Sequence, residues 1–136
     1  MKIDMSQEWL KASRLDLENI KYIIEAEHLT TVVAFHAQQS IEKSFKAVIE
    51  YQNKKIPRQH DLLKLKSLIN DVLTVENDDI LDSLNTLYID SRYPGDLGLL
   101  PYGQPTLEDA KEFYSLALRI FEDVGNILDI AIDDKT

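Results

Sequence analysis

Apolar residues recur along the chain at intervals of three and four in five stretches, the spacing of helices that bury one face. In the first, Leu10, Ser13, Leu17, Ile20 and Ile24 line one seam, with Ser6 as the expected N-cap and Glu8 just inside it. A second runs from about Thr30 to Gln52 and buries Ala34, Ala37, Ile41, Phe45 and Val48; Asn53, Lys54-Lys55 and Pro57 end it. The third, Asp61 to about Leu73, sets Leu62, Leu65, Leu68, Ile69 and Val72 on one side. The fourth starts near Asn77 as N-cap, carries Ile80, Leu81, Leu84, Leu87 and Tyr88, and stops before Pro94. The last opens at Pro105-Thr106, with Asp109 placed for a near capping box, and continues through Leu107, Ala110, Tyr114, Ala117, Phe121, Val124 and Leu128. No strand-like alternation competes. Short connections between such helices predict antiparallel neighbours. The expected fold is therefore all-α, an up-and-down bundle of four to five helices forming one domain over residues 1–136, with residues 132–136 as a frayed tail.

One connection departs from this. Residues 92–105 hold three of the four glycines and three of the four prolines, yet also Tyr93, Leu97, Leu99, Leu100 and Tyr102. A long loop in a small domain is usually functional or disordered, and this one is too apolar for a solvated linker. We expect an ordered site or interface there rather than a mere crossover.

Composition narrows the function. The chain has 15 basic and 24 acidic residues, a net charge of −9. That argues against a broad sequence-independent grip on nucleic acid or an anionic membrane, while leaving room for a local basic patch. Without cysteine there is no disulfide, thiolate metal site or thiol nucleophile. No apolar run approaches the roughly 18 residues of a membrane span, and Met1-Lys2-Ile3-Asp4 does not open a signal peptide. A cytoplasmic protein is expected.

Chemistry-bearing residues gather on the second helix. His36, Gln39, Lys43, Lys46 and Glu50 fall on one polar stripe opposite Ile41 and Phe45, either a solvated face or a row of donors for an anionic ligand. Glu42 lies toward the buried side and calls for an Arg or Lys from a neighbouring helix. Strict up-and-down topology would bring Lys46, Glu50, Tyr51, His60, Asp61, Asp90, Ser91, Arg92, Tyr93 and Thr106 to one pole. His36, roughly 15 Å from Lys46 along the axis, would lie outside a polar site built around Arg92. Asp61 is also a natural cap for the third helix. His28, His36 and His60 form no metal-ligand pair at helical spacing, and neither a nucleophile elbow nor a phosphate-binding glycine loop occurs. No motif calls for a metal or a cofactor.

The run Ala34-Phe35-His36-Ala37-Gln38-Gln39-Ser40-Ile41-Glu42-Lys43-Ser44-Phe45-Lys46-Ala47, then His60-Asp61-Leu62 and Tyr88-Ile89-Asp90-Ser91-Arg92-Tyr93-Pro94, resembles the HEPN domain family over nearly the whole chain. The resemblance implies a helical bundle like that of nucleotidyltransferase substrate-binding subunits. It also implies a homodimer, and often a minimal nucleotidyltransferase as partner in a toxin–antitoxin-like pair. Many such proteins are metal-independent RNases that use an Arg followed after four to six residues by a His. The His would serve as acid or base and the Arg would steady phosphate charge. Arg92 matches the Arg, but Leu97, Gly98 and Leu99 occupy the His positions and no histidine follows. Gln39, Glu42, Lys46, His60, Asp61, Arg92, Tyr93 and Pro94 remain matched. Two readings fit them. Lys46, Arg92, Tyr93 and Tyr102 can bind a nucleotide or RNA, with a tyrosine stacking a base; or Glu42 and Arg92 pair to pin the loop while Pro94 ends the fourth helix. Tyr93 and Tyr102 are also candidates for nucleotidylation by a partner. Arg92 with His60 as a distal histidine is the candidate pair for a surviving RNase.

Overall fold

The computed structural model describes residues 4–91 and 103–134. Five α-helices appear among them: α1 (Met5–Ile23), α2 (Thr30–Tyr51), α3 (Leu62–Ser67), α4 (Asp78–Ser91) and α5 (Leu107–Asp134), with a 3-10 turn at Glu27–Leu29 before α2. No β-strand occurs among the described residues. Helix α2 is the central element and packs against all four others. Its buried face carries Val33, Ala34, Ala37, Ile41, Phe45 and Val48, as the periodicity predicts, and Phe45 is fully enclosed.

The helix ends follow local chemistry. Asp4, rather than Ser6, caps α1: its carboxylate accepts from the Ser6 and Gln7 backbone N–H groups, and the Ser6 hydroxyl also donates to it. Thr106 and Asp109 form the reciprocal box at the start of α5, with bonds of 2.9 and 3.0 Å. Helix α5 continues to Asp134, beyond the expected start of the tail at residue 132. Helix α3 is only six residues long and stops well short of Leu73; Leu68, expected inside, is exposed.

The connection after α2 changes the topology. Asn53 takes φ 58°, and the N–H groups of Asn53 and Lys54 donate back to the Glu50 and Ile49 carbonyls, a left-handed cap that turns the chain sharply. Residues 54–61 then return alongside α2 without helix, so that His60 lies at the level of Gln38 and Glu42. Helix α3 therefore starts beside the middle of α2 and runs in the same direction. Its far end meets the end of α2, where Lys54 donates to the Leu68 carbonyl and Gln52 to the Asp71 carboxylate.

This return shifts the polarity of everything that follows. Lys66 of α3 reaches Asp78 at the start of α4, while Tyr88 near the end of α4 stacks on Phe35 in the first half of α2. Helix α4 thus ends where α2 begins. Helix α5 starts at the same pole, since Lys111 pairs with Glu25 after α1, and Thr106 shares a pocket with Glu27. The expected common pole of the α2 end, the α4 end and the α5 start does not form. Glu50 and Tyr51 lie at the end away from Thr106. The cause is the extended return, which does the reversing that a helix was expected to do.

A seam of small residues lets α1 and α2 approach closely. The Ser13 hydroxyl donates to the Ser40 carbonyl at 2.8 Å and shares hydrogen bonds with the Ser40 and Ser44 hydroxyls. All three serines are buried, and Ala37 and Ala47 extend the stripe at heptad spacing. Replacing Ser13 by Leu should cost about 3 kcal/mol, because a larger side chain in a filled seam is strained and the serine hydroxyls opposite lose a partner. Ser13→Ala should cost about 1 kcal/mol. Urea denaturation measures both, and a Leu variant as stable as the parent would refute this account of the seam.

Candidate functional site

Three residues spaced by four, Gln38, Glu42 and Lys46, lie along one line of α2 and are all buried. A carboxylate at such a position needs partners, because burying an unpaired charge is prohibitive. Glu42 has three. Lys46 Nζ donates to Oε2 at 3.0 Å, while His60 Nδ1 at 2.9 Å and Gln38 Nε2 at 3.3 Å meet Oε1. The Glu-before-Lys order at this spacing is the favourable one on a helix. Lys46 Nζ also sits 5.5 Å from the Trp9 ring centre of α1, so that an indole face covers the buried ammonium.

The same amide fixes the chain at His60. Gln38 Nε2 donates to the His60 carbonyl at 3.0 Å, so α2 holds both the backbone and the imidazole of this residue. Next along, Asp61 caps α3 through the Leu63 and Lys64 N–H groups. Asp61 also accepts from Asn85 Nδ2 at 2.9 Å, and Asn85 Oδ1 takes the Leu62 N–H at 2.9 Å. Helix α4 is thereby clamped to the start of α3. The His60 ring stands 5.4 Å from that of Tyr88.

Around this junction lies a cleft of about 330 Å³ lined by Arg58, Gln59, His60, Asp61, Asn85, Tyr88 and Ile89. The His60 side chain is 54 % exposed, although the carboxylate that holds it is 6 % exposed. With Nδ1 committed to Glu42, the nitrogen left for solvent or a ligand is Nε2, which has no partner among the described residues. A buried carboxylate thus orients an accessible imidazole, an arrangement suited to moving a proton or to meeting an anion.

Farther along the α1–α2 seam a second group has the same parts. Asp16 of α1, buried, receives His36 Nδ1 at 2.9 Å on one oxygen and Lys43 Nζ at 2.8 Å on the other.

These positions revise several expectations. The polar stripe of α2 is not a solvated face: Lys46 is buried, and His36 and Lys43 are bound to α1. Among the described residues the partners of Glu42 are Lys46 of its own helix and His60 from the return segment, rather than an Arg or Lys from a neighbouring helix. The polar cluster runs along the middle of the bundle, not at one end. His60, Asp61, Glu42 and Lys46 are brought together as one connected group, whereas Gln39 makes no hydrogen bond or ion pair with a described residue; its neighbour Gln38 does that work. Asp61 acts as the cap it was expected to be. Arg92, Tyr93, Pro94 and Tyr102 lie outside the described residues, and so does any Glu42–Arg92 pair. Gln38 was readable from the sequence as the first member of the i, i+4, i+8 line. Trp9, Asp16 and Asn85 carried no local signal, because their partners are distant in sequence and no motif announces the register of the elements that bring them together. Among the described residues no group of three or more His, Asp or Glu side chains is gathered to hold a metal ion, and no helix is long and apolar enough to cross a membrane.

Removing the Glu42 carboxylate should strand the buried Lys46 charge. Glu42→Ala is expected to cost about 3 kcal/mol. The double variant Glu42→Leu with Lys46→Met should recover most of that loss, since an apolar pair can replace a buried ion pair at little net cost. Denaturant melts of both variants measure the difference; equal losses in both would contradict the assignment of Glu42 and Lys46 as a pair.

Comparison with known proteins agrees with this architecture. The chain is similar to the crystal structure of TT1696 from Thermus thermophilus, with a TM-score of 0.72 and 23 % identity, over 92 % of this chain and 99 % of that one. It is also similar to the crystal structure of ST0689, an archaeal HEPN homologue, with a TM-score of 0.60 and 29 % identity, over 93 % and 99 % of the two chains. Among curated proteins nothing matches. The HEPN domain model matches residues 6–127, most of the chain. That match, over a helical bundle, shows that the chain belongs to the HEPN domain family.

Proposed function

We propose that this HEPN protein binds a nucleotide or RNA through the cleft beside His60, with Arg92 and Tyr93 completing the contacts. The observation that carries this reading is the half-exposed His60 imidazole, fixed by buried Glu42 at the rim of a cleft that also offers the Arg58 guanidinium. Arg and imidazolium are natural phosphate donors, and an aromatic ring can stack a base. Tyr88 is four residues before Arg92 in sequence, and Lys46 serves from within, as the buried counter-charge of Glu42 rather than as a ligand contact. Tyr102 belongs to the same proposal as a stacking residue.

The same reading makes the protein one member of a two-protein, toxin–antitoxin-like system with a minimal nucleotidyltransferase, working in the cytoplasm as a homodimer. Its support is family membership. The exposed Leu15 and Tyr22, seven residues apart and hence on one side of α1, are surface that a dimer would cover. Light scattering reads the dimer and co-purification the partner.

A second reading is metal-independent RNA cleavage. It is favoured by the carboxylate-oriented imidazole itself, which can act as acid or base in 2′-hydroxyl attack, and His60 would then replace the histidine that does not follow Arg92.

The test is incubation of purified protein with labelled RNA in EDTA, comparing the parent with His60→Ala and Arg92→Ala. Binding without cleavage, weakened about tenfold in either variant, is the expected result; a tenfold change corresponds to about 1.4 kcal/mol, one charge-assisted hydrogen bond. Cleavage by the parent that disappears in His60→Ala establishes the second reading. A parent that neither binds nor cuts overturns both.

A further inference from the structure

The two carboxylate–lysine–histidine groups of α2 are built alike. In each, one carboxylate oxygen takes a lysine of α2 and the other takes a histidine Nδ1: Lys46 and His60 on Glu42, Lys43 and His36 on Asp16. In each the carboxylate is buried and the imidazole is more exposed than the carboxylate that holds it, at 54 % for His60 and 22 % for His36. A lysine alone would satisfy the charge of the buried carboxylate. The added imidazole brings something a purely internal pair lacks, a second nitrogen, Nε2, that no described residue engages.

An unbroken run of rings joins the two. His36 stands edge-on to Phe35 at 5.5 Å, Phe35 stacks on Tyr88 at 5.9 Å with the planes 8° apart, and Tyr88 meets His60 at 5.4 Å. Phe35 is only partly buried, so part of an aromatic ring is accessible between the two oriented imidazoles. Two hydrogen-bonding nitrogens separated by an aromatic surface suit a ligand that repeats an anionic group and a flat ring.

We propose that His36 is a second ligand contact on the same face as His60, so that the bound species is an oligoribonucleotide reaching from His60 across Phe35 to His36 rather than a mononucleotide. The inference rests on the nucleic-acid reading given above and adds to it the length of the ligand and a residue outside the cleft. Asp16 and Lys43 orient the imidazole and do not themselves touch the ligand.

The experiment compares a short labelled oligouridylate, by fluorescence anisotropy, with AMP, by calorimetry. The parent should bind the oligomer more tightly than AMP. In His36→Ala that advantage should shrink by about fivefold to tenfold, the loss of one hydrogen bond to a charged group. His60→Ala should weaken both probes. Phe35→Leu, which keeps an apolar side chain in place but removes the ring, should also reduce the oligomer's advantage, and it serves if His36→Ala fails to fold by circular dichroism. An undiminished oligomer advantage in the folded His36 and Phe35 variants, with His60→Ala still weakening both probes, overturns this inference and leaves the cleft reading standing. A parent that binds neither probe removes the cleft reading and this inference with it.

Discussion

The structure depends on a carboxylate that has been taken out of water. Glu42 sits in the middle of the central helix, where an isolated charge could not be tolerated, and its partners come from elements that would otherwise have little to hold them. Lys46 neutralises it from one turn further along α2 and is roofed by Trp9 of α1. His60 and, through Gln38, the His60 backbone bring the return segment against α2. Because His60 is fixed there, Asp61 must cap α3 beside the middle of α2, and Asn85 then ties α4 to the same point. Four elements are registered around one side chain.

That constraint also explains how a structural core can present chemistry. A histidine that satisfies a buried carboxylate with Nδ1 must turn its other nitrogen away. The core keeps the charge and the surface receives an imidazole of defined orientation. At Asp16 the same solution is used with residues from a different helix pair, and the rings of Phe35 and Tyr88 fill the space between. The apolar bundle beneath supplies the rigidity: α2 is buried along most of its length, so Glu42 and the α2 partners of Asp16 cannot shift without disturbing core packing.

What the sequence disclosed follows from the range of each interaction. The existence of the five helices, the core stripe of α2, the Thr106–Asp109 box and the Asp61 cap depend on residues within four positions of each other, and these were legible, whereas the cap of α1 and the end of α3 were misplaced. Family-level likeness was legible too, because the α2 run, His60-Asp61-Leu62 and the stretch up to Pro94 are contiguous motifs. The topology was not. A ten-residue connection reads as a turn between antiparallel helices, whereas Asn53 caps α2 and the chain then returns unwound beside it, and nothing local distinguishes the two. The site was half legible for the same reason. Glu42 was recognisable as a buried carboxylate wanting a cation, but whether that cation came from its own helix or another was a question of register. Lys46 looked solvated by periodicity alone; its burial comes from Trp9, on a different helix and far back in the chain. Asp16, 20 residues before the histidine it holds, gave no sign of its partner.

The central claim is that Glu42 fixes which nitrogen of His60 faces outward, and imidazole nitrogen NMR tests it directly. In protein labelled with nitrogen-15, the neutral His60 ring should show Nδ1 protonated and Nε2 bare, a single tautomer, and Glu42→Gln should release it toward the averaged state of a free imidazole. A parent in which His60 already averages between tautomers, or in which Nδ1 is the bare nitrogen, would contradict the account.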